Sequence, residues 1–471
     1  MRNCDLCVIG SGPSGVRAAI QASKLGKDVV LIERMEVVGG VAINTGTIPS
    51  KALREAVLAV NAAQQYVSEI TDKFLGPEAK LGRLVEYCQR VIRKEVDITR
   101  SQLLGNNVEI LNGHGSFIDE HTIQCDGPRG VERINAERVF LGVGTTPAKP
   151  ENIPFDRETI ITSDEILKLT QLPRTMIIVG GGVIGTEYAS MLATLGVRVT
   201  LIEARPRLLD FIDQEVCEAL QYHLRQMGCT LRMGEKVVAI RAIEPPKGSR
   251  SVSGKVTEAT LESGKTIVAD CLMYAIGRQG CTGGLNLQAA GLAADNRGRI
   301  VVNKNYQTDK PHIYAAGDVI GFPALASTSM EQGRLAACHM FDQAIESVDE
   351  LIPYGIYSIP EISMVGWTEE KLTKDNVPYE AGVAKYKEVA RGQLIGDEIG
   401  MLKLLIHQET HAILGVHCIG TNATELVHIG QAVMAFKGTV EYFVNTVFNY
   451  PTLAECYKIA AFNGLNKLKH V

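Results

Sequence analysis

The sequence predicts an α/β fold: two Rossmann-like three-layer domains followed by a C-terminal α+β module. Three observations carry this expectation. The run Gly10-Ser11-Gly12-Pro13-Ser14-Gly15 lies between a short apolar stretch and a helical pattern, and the arrangement returns at Gly180, Gly182 and Gly185. Each turn is followed by a second apolar run ending in an acid: Glu33 stands 23 residues beyond Gly10, and Glu203 stands 23 beyond Gly180. From about Tyr354 to the C-terminus the chain reads as mixed helix and strand with no glycine-rich turn. A length of 471 residues is too great for one ordinary domain. The expected boundaries are 1–150 for the first domain, 151–272 for the second, 273–345 for a return to the first, and 346–471 for the last.

In the first unit, Leu6-Cys7-Val8-Ile9 is a strand, Val16–Ala22 is helical, and Asp28–Ile32 is a strand that ends in Glu33, with Arg34 beside it. Gly10, Gly12 and Gly15 permit a tight turn and let a pyrophosphate approach a helix N-terminus, with Pro13 and Ser14 in the turn. Glu33 is positioned to accept from ribose hydroxyls. One such turn is a weak signal, because glycine-rich turns occur in other α/β proteins. The second copy is equally complete: Met176–Val179, Gly180, Gly182, Val183, Ile184, Gly185, a helix from Thr186-Glu187, then Val197–Ile202 and Glu203. Two full copies imply two dinucleotide sites. Cys4 and Cys7 form a C-x-x-C, but residues i and i+3 on a strand should face opposite ways, and no second pair completes a zinc site. They read as small core fillers.

Between and beyond these units the texture alternates. Residues 39–51 read GGVAINTGTIPSK. The glycine pair lets backbone approach a ligand, and Ser50 stands near the cap of a following helix. Residues 50–105 carry apolar residues at helical spacing, and short strands follow at Val108–Leu111, Gly115–Ile118 and Val139–Gly144. Val237–Ile240 and Lys255–Thr257 belong to the second domain, Asp270–Arg278 leads out of it, His312–Asp318 contains a strand, and Ala326–Met340 is helical. His407, His411, His417 and His428 lack ligand spacing and read as surface or satisfied core residues. Cys418 and Cys456 read as inert buried thiols.

Lys+Arg number 48 against 53 Asp+Glu, which argues against nucleic acid or an acidic membrane as a general partner. No apolar run approaches the length of a bilayer span. A strand follows Met1 almost at once, leaving no room for a targeting peptide and suggesting a cytoplasmic protein whose 11 Cys are mostly thiols.

Residues 39–51, the two glycine-rich units and Phe448–Glu455 together resemble the two-dinucleotide flavoprotein family that includes dihydrolipoyl dehydrogenase and glutathione reductase. The resemblance runs from Leu6 to Leu465. It implies FAD on the first domain, NAD or NADP on the second, and a homodimer or higher oligomer through the C-terminal module. By motif position FAD falls to Gly10, Gly12, Pro13, Ser14, Gly15, Glu33, Arg34, Gly39, Gly40, Val41, Thr47, Lys51, Gly115, Gly144, Thr145, Gly317, Asp318 and Ala326. The nicotinamide nucleotide falls to Gly180, Gly182, Val183, Ile184, Gly185, Glu203, Arg205 and Gly277. Lys51 and Glu187 match an ion pair at the flavin N5 edge and are the candidate catalytic residues; no metal is implied.

The family pattern GG-x-C-x-N-x-G-C-IPSK carries two redox cysteines, and here Ala42 and Thr47 stand at those positions. The family element H-P-T-x-x-E supplies a His–Glu acid/base pair, and here Tyr450 replaces the His while Glu455 remains. These losses belong together, since the His has no leaving thiol to protonate. Members with Thr at the second position and N-Y-P-T near the C-terminus pass hydride between NADPH and NAD+ by a ping-pong route through flavin, although they often keep a Cys where this chain has Ala42. That reaction is the expected function. Two alternatives stay open: an NAD(P)H diaphorase or quinone reductase of the same fold, and a non-catalytic flavin-binding regulator. Glu203 favours the 2′-hydroxyl of NAD, while Arg205 and Arg207 are placed to meet the 2′-phosphate of NADP.

Overall fold

The computed structural model describes residues 2–66, 77–246, 254–344 and 351–468. The chain separates into two compact units. One comprises Met1–Ala56, Ala79–Pro150 and Ile276–Ser347, the other Val57–Glu78, Glu151–Ala275 and Val348–Val471.

In the first unit the strands Glu109–Asn112, Val29–Glu33, Arg2–Ile9 and Gly130–Leu141 pair in parallel in that order. Besides Arg2–Ile9, strand Gly130–Leu141 serves two further partners. Its second half pairs in parallel with Ile313–Ala315, and its first half pairs antiparallel with Thr122–Gly127, which pairs in turn with His114–Phe117. Every residue of Val29–Glu33 is buried, as a strand covered on both faces requires. On one face Leu6, Val8 and Leu31 pack with Val16, Ala18 and Ala19 of helix Pro13–Lys24 and with Ala336, Ala337 and Met340 of helix Ala326–Met340. On the other, Cys7, Ile9, Val30 and Ile32 pack with Phe117, Ile123, Leu285 and Leu287. A three-layer unit results. The two helices touch so closely that a Cβ on Gly333 would collide with the Ser14 carbonyl.

Two local expectations are corrected. Cys4 and Cys7 lie in the same core cluster rather than on opposite faces. The amides of both Asp5 and Leu6 donate to the Asp28 carbonyl, at 3.0 and 3.1 Å, so the regular ladder to the neighbouring strand is broken between Cys4 and Cys7. Both cysteines are buried free thiols, consistent with core filling, and burial pushes Cys4 up to about 12. The helix expected near Ser50 begins at Thr47, preceded by a short helix Gly40–Asn44. Pro49 is tolerated in a first turn, where its missing N–H has no intrahelical acceptor, so the helix starts upstream of it. The Ser50 hydroxyl then donates to the Thr47 carbonyl at 3.1 Å. This helix runs to Tyr66, and a second spans Pro77–Gly105.

The second unit contains a parallel sheet ordered Thr230–Met233, Arg198–Glu203, Thr175–Val179, Cys271–Tyr274 and Ile160–Ile161. Val237–Ile243, Val256–Leu261 and Thr266–Ala269 form an antiparallel sheet beside it in sequence. Its C-terminal part is an antiparallel sheet ordered Tyr354–Ile356, Ile362–Gly366, Ile413–Ile419, Met401–His407 and Tyr379–Lys385. Leu426 and Val427 of helix Ala423–Ala435 and Tyr457, Ala460 and Ala461 of helix Glu455–Leu468 pack on Leu402, Leu404, Ile406 and Val416. The whole is α/β with a terminal α+β module, as expected. Among the described residues, no helix is long and apolar enough to cross a membrane.

Candidate dinucleotide sites

In the first unit, strand Arg2–Ile9 delivers the chain into a turn that only glycine can make. Gly10 has φ +100°, and a Cβ there would sit 2.5 Å from the Gly142 carbonyl oxygen. A Cβ on Gly15 would collide with the Gly10 carbonyl, so the helix starts tight against the strand. Pro13 occupies the first helical position. Glu33 ends the neighbouring strand and is 4% exposed, so its charge must be met locally. One oxygen accepts from the Ser11 amide at 2.9 Å and the Ser11 hydroxyl at 2.5 Å; the other accepts from the Met35 amide at 2.8 Å. The Ser11 hydroxyl oxygen accepts in turn from the Gly39 amide at 2.9 Å. Gly39 and Gly40 have φ +106° and +57°, and a Cβ on Gly40 would lie 2.8 Å from Gly12 Cα. The glycine pair therefore packs its backbone onto the turn itself.

The cradle has an open side. A Cβ on Gly12 would meet nothing closer than the Gly142 oxygen at 3.7 Å, and one on Gly144 would meet nothing within 4 Å. Thr145 donates to Asp318 at 3.2 Å and accepts from Arg278 Nε at 2.7 Å, and Arg278 also reaches the Thr145 carbonyl at 2.8 Å. The Arg278–Asp318 separation is 4.0 Å. Gly317, at φ +82°, donates its amide to Gln332 at 2.9 Å, and the Ser14 hydroxyl donates to the Ala316 carbonyl at 3.1 Å. Ala326 opens the helix that carries Gln332. Val41, Thr47 and Lys51 are half-buried, and Lys51 Nζ lies 3.3 Å from the Ser50 hydroxyl. Arg34 is exposed and points Nη2 at Cys281 Sγ, 3.6 Å away. A Cβ on Gly115 would press on Ile9 and Ile32, so that face belongs to the core. The Gly277 carbonyl accepts from the Ala148 amide at 3.2 Å. A buried acid at the strand end, an open glycine turn and a polar Thr145–Arg278–Asp318 group fit a dinucleotide such as FAD.

The second unit repeats the design. Gly180 has φ +112°, a Cβ on Gly185 would collide with the Gly180 carbonyl, and Val183 and Ile184 form the first turn of helix Val183–Thr194. A Cβ on Gly182 would meet no atom within 4 Å. Glu203 accepts from the Gly181 amide at 2.6 Å and the Arg205 amide at 2.9 Å, matching the Glu33 pattern. Arg205 then closes a fork on it, Nε to Oε1 and Nη2 to Oε2, each at 3.0 Å. Burial alone would raise the Glu203 carboxyl, but the Arg205 hydrogen bonds and the two amides outweigh it and hold the group below the ordinary carboxylate value. Arg207 turns to Glu370 at 3.0 Å and to the Asp210 carbonyl at 2.9 Å. Glu187 is buried, with one oxygen accepting from the Tyr357 amide at 2.9 Å, and the neighbouring Ser190 hydroxyl accepts from Ile359 N at 2.9 Å.

Ser11, Gln332, Asp210 and the Tyr357 amide make contacts here that no sequence expectation names. Only Ser11 had a readable signal, as a hydroxyl at the position of the first turn where the second has Gly181. Cys418 and Cys456 are buried, and burial pushes Cys456 up to about 12, consistent with inert thiols. Of the C-terminal histidines named above, His407, His411 and His428 have polar partners, whereas His417 is buried with Nε2 on the Trp367 carbonyl and, among the described residues, no partner for Nδ1. His417 is thus only half satisfied.

Comparison with known proteins agrees with this architecture. The pyridine nucleotide-disulphide oxidoreductase model matches residues 4–333, and the dimerisation domain of the same group matches residues 352–461. A soluble pyridine nucleotide transhydrogenase of Mycobacterium tuberculosis is 51% identical over 471 residues, 100% of this chain and 98% of the relative. One from Colwellia psychrerythraea is 44% identical, with 98% of each chain covered. Among solved structures, the Cu(II) complex of an HOCl-induced flavoprotein disulfide reductase from Escherichia coli aligns with a TM-score of 0.86 at 25% identity, covering 98% of this chain and 100% of that one. With its two glycine-turn sites and its matching C-terminal module, the chain belongs to the pyridine nucleotide-disulphide oxidoreductase family.

Proposed function

We propose that the protein catalyses FAD-dependent hydride transfer between NADPH and NAD+, yielding NADP+ and NADH, by a ping-pong route in one nicotinamide site. FAD, when bound, supplies the hydride acceptor and donor. One observation carries the reading. Both dinucleotide turns are complete down to their buried acids, yet no cysteine occurs between Cys7 and Cys88. The segment packed onto the first turn offers Ala42 and Thr47 where a dithiol relay would stand, so electrons do not leave through a thiol at these positions, and return through the nicotinamide site fits the second complete turn. The full-length similarity to proteins named soluble pyridine nucleotide transhydrogenase supports the same conclusion.

In this reading residues 1–150 and 273–345 hold FAD, 151–272 hold the nicotinamide nucleotide, and 346–471 form a homodimer interface in a cytoplasmic enzyme. Gly10, Gly12 and Gly15 take the FAD pyrophosphate, Glu33 its ribose, and Asp318 with Thr145 its ribityl chain. Lys51 and Glu187 are the candidate catalytic residues, and the Tyr357 amide fixes the Glu187 carboxylate. Glu203 and Arg205 face the 2′ position of the nicotinamide nucleotide, where one accepts a hydroxyl and the other meets a phosphate.

Anaerobic stopped-flow spectroscopy tests the proposal. NADPH should bleach the flavin band and NAD+ should restore it within turnover. A reduced enzyme that NAD+ leaves bleached, but a quinone reoxidises, makes the protein a diaphorase instead.

A further inference from the structure

The two glycine turns differ in one respect that bears on nucleotide choice. In the first, the side-chain partner of the buried acid is the neutral Ser11 hydroxyl, which leaves Glu33 a full negative acceptor. In the second, residue 181 is Gly, and a Cβ there would lie 2.5 Å from Leu208 Cδ2. The Ser11 role passes to Arg205, so the acid at the second ribose position is neutralised by a fork. The remaining terminal nitrogen of that guanidinium, Nη1, is held by Asp210 at 2.5 Å.

Asp210 is set in place by its loop. Leu208 and Leu209 on its N-terminal side are fully buried, and the Leu209 amide donates to the Gly181 carbonyl at 3.2 Å. Leu209 has φ +44°, a left-handed conformation costly for a branched residue, and the chain reverses there before Ile212 N returns to the Leu209 carbonyl at 3.0 Å. The Asp210 carbonyl is gripped by Arg207, which is anchored on Glu370. The backbone of Asp210 is thus pinned from both directions while its side chain, half exposed, extends to Arg205.

We propose that Asp210 sets the balance between NAD and NADP in this site. This rests on the reading that Glu203 and Arg205 face the nucleotide 2′ position. Asp210 occupies the Arg205 nitrogen that a 2′-phosphate would use and places a second negative charge beside it. It therefore penalises the phosphorylated nucleotide and leaves a 2′-hydroxyl untouched. Arg205 can serve either nucleotide because its fork on Glu203 and its bond to Asp210 use different nitrogens.

ADP-ribose and 2′-phospho-ADP-ribose differ only in the 2′-phosphate and transfer no hydride, so calorimetric titration of the FAD-loaded enzyme with each isolates the effect. Asp210→Asn should tighten 2′-phospho-ADP-ribose about two- to fivefold, the scale of one exposed ion pair, with ADP-ribose unchanged. The gain should shrink in high salt. Asp210→Ser should act in the same direction. Equal changes for both ligands, no change, or weaker binding of the phosphorylated ligand overturns the proposal. Arg205→Gln provides the control on the underlying reading. If it weakens 2′-phospho-ADP-ribose selectively while Asp210→Asn does nothing, the Asp210 proposal alone fails. If it leaves both ligands unchanged, the assignment of Arg205 to the 2′ position fails as well.

Discussion

Removing the Lys403 ammonium should destabilise the second unit by about 3–5 kcal/mol, the range for breaking a buried ion pair from one side. Lys403, on strand Met401–His407, is 2% exposed and bonds both oxygens of Asp213, itself 1% exposed, at 3.0 and 3.1 Å. It also reaches Glu215 at 3.0 Å, and Glu369. Asp213 caps helix Gln214–Gln226 through the amides of Glu215 and Val216. Lys403→Met would strand that carboxylate, frayed from its cation but still buried under the helix it caps. Burial alone would raise the Asp213 carboxyl; the His417 ring and the Lys403 ammonium bring it below its ordinary value. His417 is itself shifted down by burial towards its neutral form, so Lys403 is the cation that counts near neutral pH. A depressed carboxyl contributes stability above its unfolded pKa and loses it as pH falls through the folded value. The wild-type advantage should therefore be full at neutral pH and shrink as the pH falls through the acid range in which Asp213 takes up a proton. A chain of this size need not unfold in one step, so the loss is best read as faster hydrogen exchange in helix Gln214–Gln226 and strand Met401–His407. Lys403→Met with Asp213→Asn should recover part of it, because Asn still caps a helix. A loss below about 1 kcal/mol would place this pair with exposed ion pairs and refute the reasoning.

Three further outcomes are expected. Glu203→Gln should weaken NAD about tenfold or more, the worth of one charge-assisted hydrogen bond, and should weaken NADP less because Arg205 is released from its fork; dissociation constants for both nucleotides measure the ratio, and equal factors would contradict the role assigned to Glu203. Gly182→Ala, at φ −77° with no atom near its Cβ, should leave the melting temperature nearly unchanged yet weaken nicotinamide nucleotide binding, whereas Gly10→Ala, at φ +100° and 2.5 Å from a carbonyl, should lower stability and FAD content together. Lipoamide, glutathione disulfide and thioredoxin should turn over at background, and NADPH-dependent lipoamide reduction surviving alkylation of accessible thiols would show a dithiol route that Ala42 and Thr47 do not provide.

Much of this molecule was legible in its sequence, because the relevant signals are local. A strand, Gly10-x-Gly12-x-x-Gly15, a helix and a second strand ending in Glu33 lie within one short stretch, and the requirement for positive φ at Gly10 and Gly180 is a property of those residues alone. Repetition of the unit at Gly180–Glu203 made the two glycine-turn units readable without any long-range contact. The loss of the thiols at Ala42 and Thr47 was likewise visible in the letters.

Tertiary structure decided what each of those residues touches. Glu33 and Glu203 stand at equivalent positions of the two units, but the folded chain meets one with the Ser11 hydroxyl and the other with the Arg205 guanidinium. The grouping of Thr145, Arg278 and Asp318 joins residues far apart in the chain, as does that of Lys403 with Asp213, so neither leaves a periodic trace. The shared acceptor at the Asp28 carbonyl, beside which Cys4 joins the cluster of Cys7, belongs to a neighbouring part of the chain that the alternation pattern does not register. Backbone conformation is dictated mainly by neighbours in sequence, whereas the partner of a buried charge is dictated by whichever distant element the packing brings within about 3 Å of it.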